Sequence, residues 1–86
     1  GEGELEIIEA HLQEGSPAIG RTAGELTMPE GCSLFAVVRN GIATPLRADM
    51  TLRVGDKVIA IGPSASEALL HAQLIGDDPE AVAPAS

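Results

Sequence analysis

Two apolar runs, and the Asn-Gly pair that follows the first, constrain this chain more than anything else in it. Leu34-Phe35-Ala36-Val37-Val38 leads into Arg39-Asn40-Gly41, and Val58-Ile59-Ala60-Ile61 ends on Gly62-Pro63. Asparagine and glycine both tolerate positive φ, and a turn built from them matches the twist of the strands it joins. Residues 34–62 are therefore expected to form a small antiparallel sheet, with a short middle strand over 42–46. Pro45 has no amide to give to a ladder, so that middle strand should be an edge or a bulged strand. In the approach to the last strand, Leu52 should tuck inward, Gly55 should take an unusual φ, and Asp56 should bond nearby backbone amides.

Upstream, Glu4-Leu5-Glu6-Ile7-Ile8-Glu9-Ala10-His11-Leu12 alternates apolar and polar, but its phase slips at Ile7-Ile8. The segment reads as a first strand with either a bulge at the slip or both faces partly covered. If a bulge takes up the slip, Leu5 and Ile7 point one way and Ile8, Ala10 and Leu12 the other. Gly20 and Gly24 weaken any helix begun at Ser16. The spacing Thr22-Ala23-Gly24-Glu25 instead suggests a capping box and about two helical turns, closed by Pro29. The same spacing recurs at Ser64-Ala65-Ser66-Glu67 and opens the clearest helix. Ala65, Ala68, Leu69, Ala72 and Ile75 share its expected apolar face, and Gly76 is its expected stop. Gly1 to Glu4 read as a linker or as residues left by cloning, 5–76 as one domain, and 77–86 as a disordered acidic tail.

Composition narrows the functional classes. Thirteen acidic residues stand against five basic ones, for a formal charge of -8. Phosphate neutralisation needs a basic face, so nucleic acid is not expected as a partner, and an anionic membrane surface is disfavoured for the same reason; direct membrane insertion is not expected either. No stretch approaches the roughly 20 apolar residues of a membrane span. A chain of 86 residues buries only about 60% of its unfolded surface. With one Phe and neither Trp nor Tyr, the core must be aliphatic and thin, and a partner subunit is an expected source of further stability. The single Cys32 cannot form an internal disulfide, which fits a reducing compartment.

Catalytic chemistry finds no constellation. His11, Cys32 and His71 lack the close ligand pairs of zinc motifs, and nothing resembles a nucleophile elbow or an activated thiol. No glycine-rich stretch follows a strand and opens a long helix as a dinucleotide fingerprint requires. The chain is read as a non-enzyme, with no catalytic or metal-binding residues and no cofactor beyond a possible small regulatory ligand. Arg39 and Asn40 admit two readings. Arg39 either pairs with an anionic ligand or a carboxylate across an interface, which its planar fork suits, or simply solvates the hairpin end, which is the preferred reading. A lipoyl-like carrier would need a modifiable lysine at a hairpin tip, and Lys57 lies at a strand start.

Taken in order, Gly20-Arg21-Thr22, Glu25-Leu26, Met28-Pro29-Glu30-Gly31, Ala36-Val37-Val38-Arg39-Asn40-Gly41, Pro45, Asp49, Leu52, Gly55-Asp56, Val58 and Ile61-Gly62 resemble the TrkA-C domain. That domain is the C-terminal, ligand-sensing half of the regulator-of-K+-conductance (RCK) module, and the likeness runs from about residue 5 to residue 74. It implies an α+β fold, a small β-α-β-β-β domain with a C-terminal helix, and self-association into a homodimer. It also implies a cytoplasmic location at the inner face of the membrane, through attachment to a cation channel, K+ uptake system or cation/proton antiporter. Family members bind small regulators, among them cyclic di-AMP, other nucleotides and metal ions, often between subunits. Carried over from the cyclic di-AMP binders, the contacts correspond to Ala23, Gly24, Met28 and Ser33. Those binders commonly hold an arginine in this loop where the chain has Met28-Pro29-Glu30, and an acid there argues against a cyclic dinucleotide. Two functions follow as expectations: a ligand-sensing regulatory domain, and a ligand-free dimerisation module of a larger transport protein. The discriminating feature is an interface pocket lined by Arg39 or by residues 28–33.

Overall fold

The computed structural model of the chain describes residues 4–76. Four strands and one helix form it: β1 (Leu5–His11), β2 (Ser33–Arg39), β3 (Ile42–Pro45), β4 (Lys57–Pro63) and α1 (Glu67–Leu74). Single 3-10 turns occur at Ala23–Glu25 and Ser64–Ser66. The strands make one antiparallel sheet in the order β1-β4-β2-β3. This is the small α+β architecture expected from the sequence, and β3, which carries Pro45, is an edge strand.

The β2-β3 hairpin turns at Asn40 and Gly41, with φ of 55° and 77°, as the twist-matched turn requires. β1 pairs with β4 without interruption from Leu5 opposite Pro63 to His11 opposite Lys57. The phase slip at Ile7-Ile8 is therefore not a bulge. Ile8, Ala10 and Leu12 alternate into the core while Leu5 and Ile7 stand on the outer face, so two adjacent apolar residues straddle a regular strand. The bulge lies in β2 instead. Leu34 faces Ala60 and Ala36 faces Ile59, which leaves Phe35 as the extra residue. Its carbonyl accepts a hydrogen bond from the Leu46 amide at 3.0 Å, and the ring is largely exposed.

The core forms on one side of the sheet. Ile8, Ala10, Leu12, Val58 and Ala60 pack there with Ala18, Leu52, Leu70 and Leu74. Leu70 and Leu74 are thus the buried stripe of α1, one turn apart, and Leu69 is exposed. Of the expected face, Ala65, Ala68 and Leu69 are exposed, Ala72 is half-buried, and Ile75 alone packs at the margin of the core. The expected capping box at Ser64 does not form either. The chain enters α1 through a 3-10 turn, and Ser66 occupies the cap position with no side-chain cap bond. That tighter turn shifts the helical phase that the spacing from Ser64 assumed. Gly76 ends the helix as expected, with φ of 94°, its amide bonded to the His71 carbonyl at 3.2 Å.

The expected two turns after Thr22 shorten to one. The amides of Ala23 and Gly24 donate to the carbonyls of Met50 and Ala48 at 3.0 and 2.9 Å, and Thr22 bridges Thr51. These bonds to a neighbouring segment hold the chain back from continuing as a helix, and Leu26 is already extended. Residues 1–3 of the segment expected at 1–4, and the whole segment expected at 77–86, lie outside the described residues.

Candidate functional site

The two ends of β2 carry the residues with functional potential. At its C-terminal end, the Arg39 Nε donates to Asp56 Oδ1 at 2.8 Å and a terminal nitrogen donates to Asp56 Oδ2 at 2.7 Å. The same terminal nitrogen also reaches the Thr51 carbonyl at 3.0 Å, while the Arg53 amide donates to Asp56 Oδ2 at 2.9 Å. Asp56 is 1% exposed, and the Arg39 side chain is 26% exposed. The guanidinium bonds hold the Asp56 carboxyl below the usual aspartate range and raise the Arg39 pKa in turn. Arg39 therefore neither solvates the hairpin end nor reaches outward with a free fork. Its bidentate geometry is spent on a carboxylate of its own chain, which anchors the tight turn at Gly55 (φ 92°) to the sheet. Asn40 stands beside it in the exposed turn.

The N-terminal end of β2 opens onto a cavity of about 310 Å³. Ala23 and Gly24 of the 3-10 turn, Met28 of the following loop, and Ser33 and Leu34 of β2 line it, and Arg47 lines it from the segment after β3. The close approach of Gly24 to Ala48 fixes one wall. A Cβ on Gly24 would lie 3.1 Å from the Ala48 carbonyl oxygen, tight enough that the backbone must give. A second close approach lies behind Cys32, another lining residue, where a Cβ on Gly62 would fall 2.5 Å from its Sγ. Four of the six sequence-assigned ligand residues, Ala23, Gly24, Met28 and Ser33, thus converge on one cavity, and Arg39 and Asn40 lie at the other end of the strand. Sequence reasoning missed Arg47, whose place depends on pairings between segments more than twenty residues apart. Its guanidinium lies 3.7 Å from Asp49 Oδ1, with both side chains exposed, a contact of little energetic weight.

Among the described residues no three His, Cys, Asp or Glu side chains are grouped closely enough to hold a metal ion. His71 is occupied at the sheet edge, its Nε2 lying 3.1 Å from the Glu9 carbonyl oxygen. Among the described residues no helix is long and apolar enough to cross a membrane.

The sequence profile of the TrkA-C domain matches residues 7–74. The chain belongs to the TrkA-C family. Two curated relatives agree. A Trk system potassium uptake protein TrkA homolog from Archaeoglobus fulgidus is 36% identical over 59 residues, which is 69% of this chain and 14% of that protein. The Trk system potassium uptake protein TrkA of Azorhizobium caulinodans is 36% identical over 58 residues, or 67% of this chain and 13% of that protein. The TrkA-C chain thus spans about a seventh of the length of the relatives it matches. A solved structure described as an RCK domain with cda superposes with a TM-score of 0.64 at 20% identity, covering 81% of this chain and 96% of the other. That likeness is one of fold. It places the domain among RCK folds, as the sequence motifs implied.

Proposed function

We propose that this TrkA-C domain is the cytosolic regulatory, ligand-sensing part of a membrane cation transport system, K+ being the favoured ion. In this reading it belongs to a channel, uptake system or cation/proton antiporter, works as a symmetric homodimer, and carries no enzymatic activity. The observation that supports it best is the convergence of Ala23, Gly24, Met28 and Ser33 on one cavity. Glu30 does not line that cavity and Arg47 does, so a regulator bearing an anionic group meets a cation that the 28–33 loop itself does not supply. Regulation requires that the ligand prefer one arrangement of the dimer, because a ligand bound equally by both shifts nothing.

A second reading, a ligand-free module that holds a transport protein together, draws on the outer face of the sheet. Leu5 and Ile7 are 61% and 59% exposed, beside Pro63 and Ile61 on β4. An apolar face of this kind is a common mark of an interface, and two-fold association lets one patch cover its own copy. Thermal-shift measurements with nucleotides and divalent ions separate the readings: stabilisation by one of them supports sensing, and none from any leaves only assembly. Sedimentation at micromolar concentration tests the dimer itself. The expected species is twice the chain mass, and a monodisperse particle near 8.8 kDa contradicts it. Ile7→Asp should weaken the dimer and leave the fold, whereas Ile8→Asp, which places a charge in the core, should unfold the chain.

A further inference from the structure

The sheet has two edges, and they are finished differently. β3, at one edge, is four residues long. The Leu46 amide bonds the Phe35 carbonyl, so by the alternation of an antiparallel ladder it is Ala43 and Pro45 that face away from β2, and Pro45 has no amide to offer. That edge is blunted. β1 forms the other edge, seven residues long, with neither proline, lysine nor bulge, and paired to β4 from end to end. Just past it, the Leu12 amide donates to the Asp56 carbonyl and the Leu12 carbonyl accepts from the Gly55 amide, both at 2.9 Å. Leu12 thus spends its backbone on the inner side. Alternation gives Ala10, Ile8 and Glu6 the same role and turns the amides and carbonyls of Leu5, Ile7, Glu9 and His11 outward. His71 agrees, since its Nε2 meets the Glu9 carbonyl oxygen from α1. A long, regular edge of this kind is a template for another strand.

We propose that two copies of the chain join along β1, their strands pairing antiparallel about a two-fold axis at Ile7 to make one continuous sheet. The inference rests on the homodimer read above and names the surface that builds it. A second copy is the occupant because the strand is self-complementary in one register. Hydrogen bonds across the axis require outward-facing residues to stand opposite one another, which puts the axis on a residue between Glu6 and Glu9. An axis on Glu6 or on Glu9 sets like charges face to face, which destabilises a strand pair. An axis on Ile8 places the exposed Leu5 and Ile7 against His11 and Glu9 of the partner subunit. Only the axis on Ile7 sets an exposed aliphatic side chain against its own copy, Ile7 beside Ile7 of the partner subunit. Leu5 then stands beside the partner's Glu9 and Glu6 beside the partner's Ile8, so no acid faces an acid. The Glu9 carbonyl has a second lone pair for the partner's Leu5 amide besides the one that His71 meets.

The test has two readouts on the whole chain. Sedimentation reads the dimer however it is made. Isotope-filtered NMR on a mixture of labelled and unlabelled chains reads the pairing: in this register Glu6 and the partner's Ile8 form a non-hydrogen-bonded pair, where the strands approach most closely, so a contact between their α-protons should appear across the subunits. Ile7→Pro supplies an independent check. It removes an outward amide and no bond to β4, which an edge strand accommodates, so the dimer dissociation constant should rise about tenfold or more while the amide fingerprint of β2 to β4 is kept. A particle of single-chain mass overturns the homodimer reading and this proposal with it. A dimer that lacks the Glu6 to Ile8 contact, or one that Ile7→Pro leaves as tight as before, overturns the edge pairing and leaves the homodimer standing.

Discussion

The two ends of β2 use similar residues for opposite purposes. At the C-terminal end, Arg39 has its fork filled by Asp56 and a further bond to the Thr51 carbonyl, and the carboxylate is buried with a backbone amide on it as well. At the N-terminal end, Arg47 has, among the described residues, one ion contact, to the exposed Asp49 at 3.7 Å, beside a cavity lined also by Gly24, Ser33, Met28 and Leu34. Bonding capacity is spent within the fold at one end and left available at the other. An arginine beside a strong strand is thus no guide to a ligand until its partner is known, and the site belongs where polar groups remain uncommitted.

The largest effect should come from breaking the filled end. Arg39→Ala leaves Asp56 buried without its counter-ion, and such a loss is expected to destabilise by about 3 kcal/mol, measurable by urea denaturation. The pH dependence follows from the same pair. Because folding depresses the Asp56 pKa, its contribution is present above the ordinary aspartate range and is lost as pH falls through the depressed folded value. The wild-type protein should therefore lose stability in acid more steeply than the Arg39→Ala variant does.

A smaller effect is expected from crowding the open end. Gly62→Ala forces a Cβ to within 2.5 Å of the Cys32 Sγ, and overpacking of this kind costs about 2 kcal/mol. Combining it with Cys32→Ala should recover part of that loss, because the sulfur is the nearest obstacle. If the double variant is no more stable than the single one, the Cys32 sulfur is not the source of the overpacking. The smallest stability effect belongs to Arg47→Ala, within about 0.5 kcal/mol of the wild type, since its side chain is exposed and loosely paired. Its effect should appear instead as a diminished thermal shift with anionic regulators, which separates a binding role from a structural one.

How far the sequence reveals each end differs for a physical reason. The turn at Asn40-Gly41, the edge position of β3, the inward Leu52 and the amide bond to Asp56 all follow from local backbone chemistry, and local chemistry is what adjacent residues encode. The Arg39 to Asp56 pairing spans 17 residues and needs the sheet register before it can be seen. Arg47 reaches the cavity only because Gly24 bonds to Ala48, and no periodicity signals that contact. The bulge at Phe35 likewise has no local mark, whereas the apparent slip at Ile7-Ile8 has one and proves to be a two-faced strand. In α1, spacing from Ser64 gives the wrong face because a 3-10 turn intervenes. Motif order across the whole chain carried more than any single pattern, since it identified the family and, through it, four residues of the cavity.

The central claim is that the N-terminal end of β2 receives the regulator and the C-terminal end does not. Amide-resolved NMR titration with mononucleotides and cyclic nucleotides tests it most directly, because both ends are observed in one spectrum. Saturable shifts should gather at Ala23, Gly24, Met28 and Ser33, with Arg39 and Asn40 unmoved. Shifts centred on Arg39 and Asn40, or none at the cavity with any nucleotide, contradict the account.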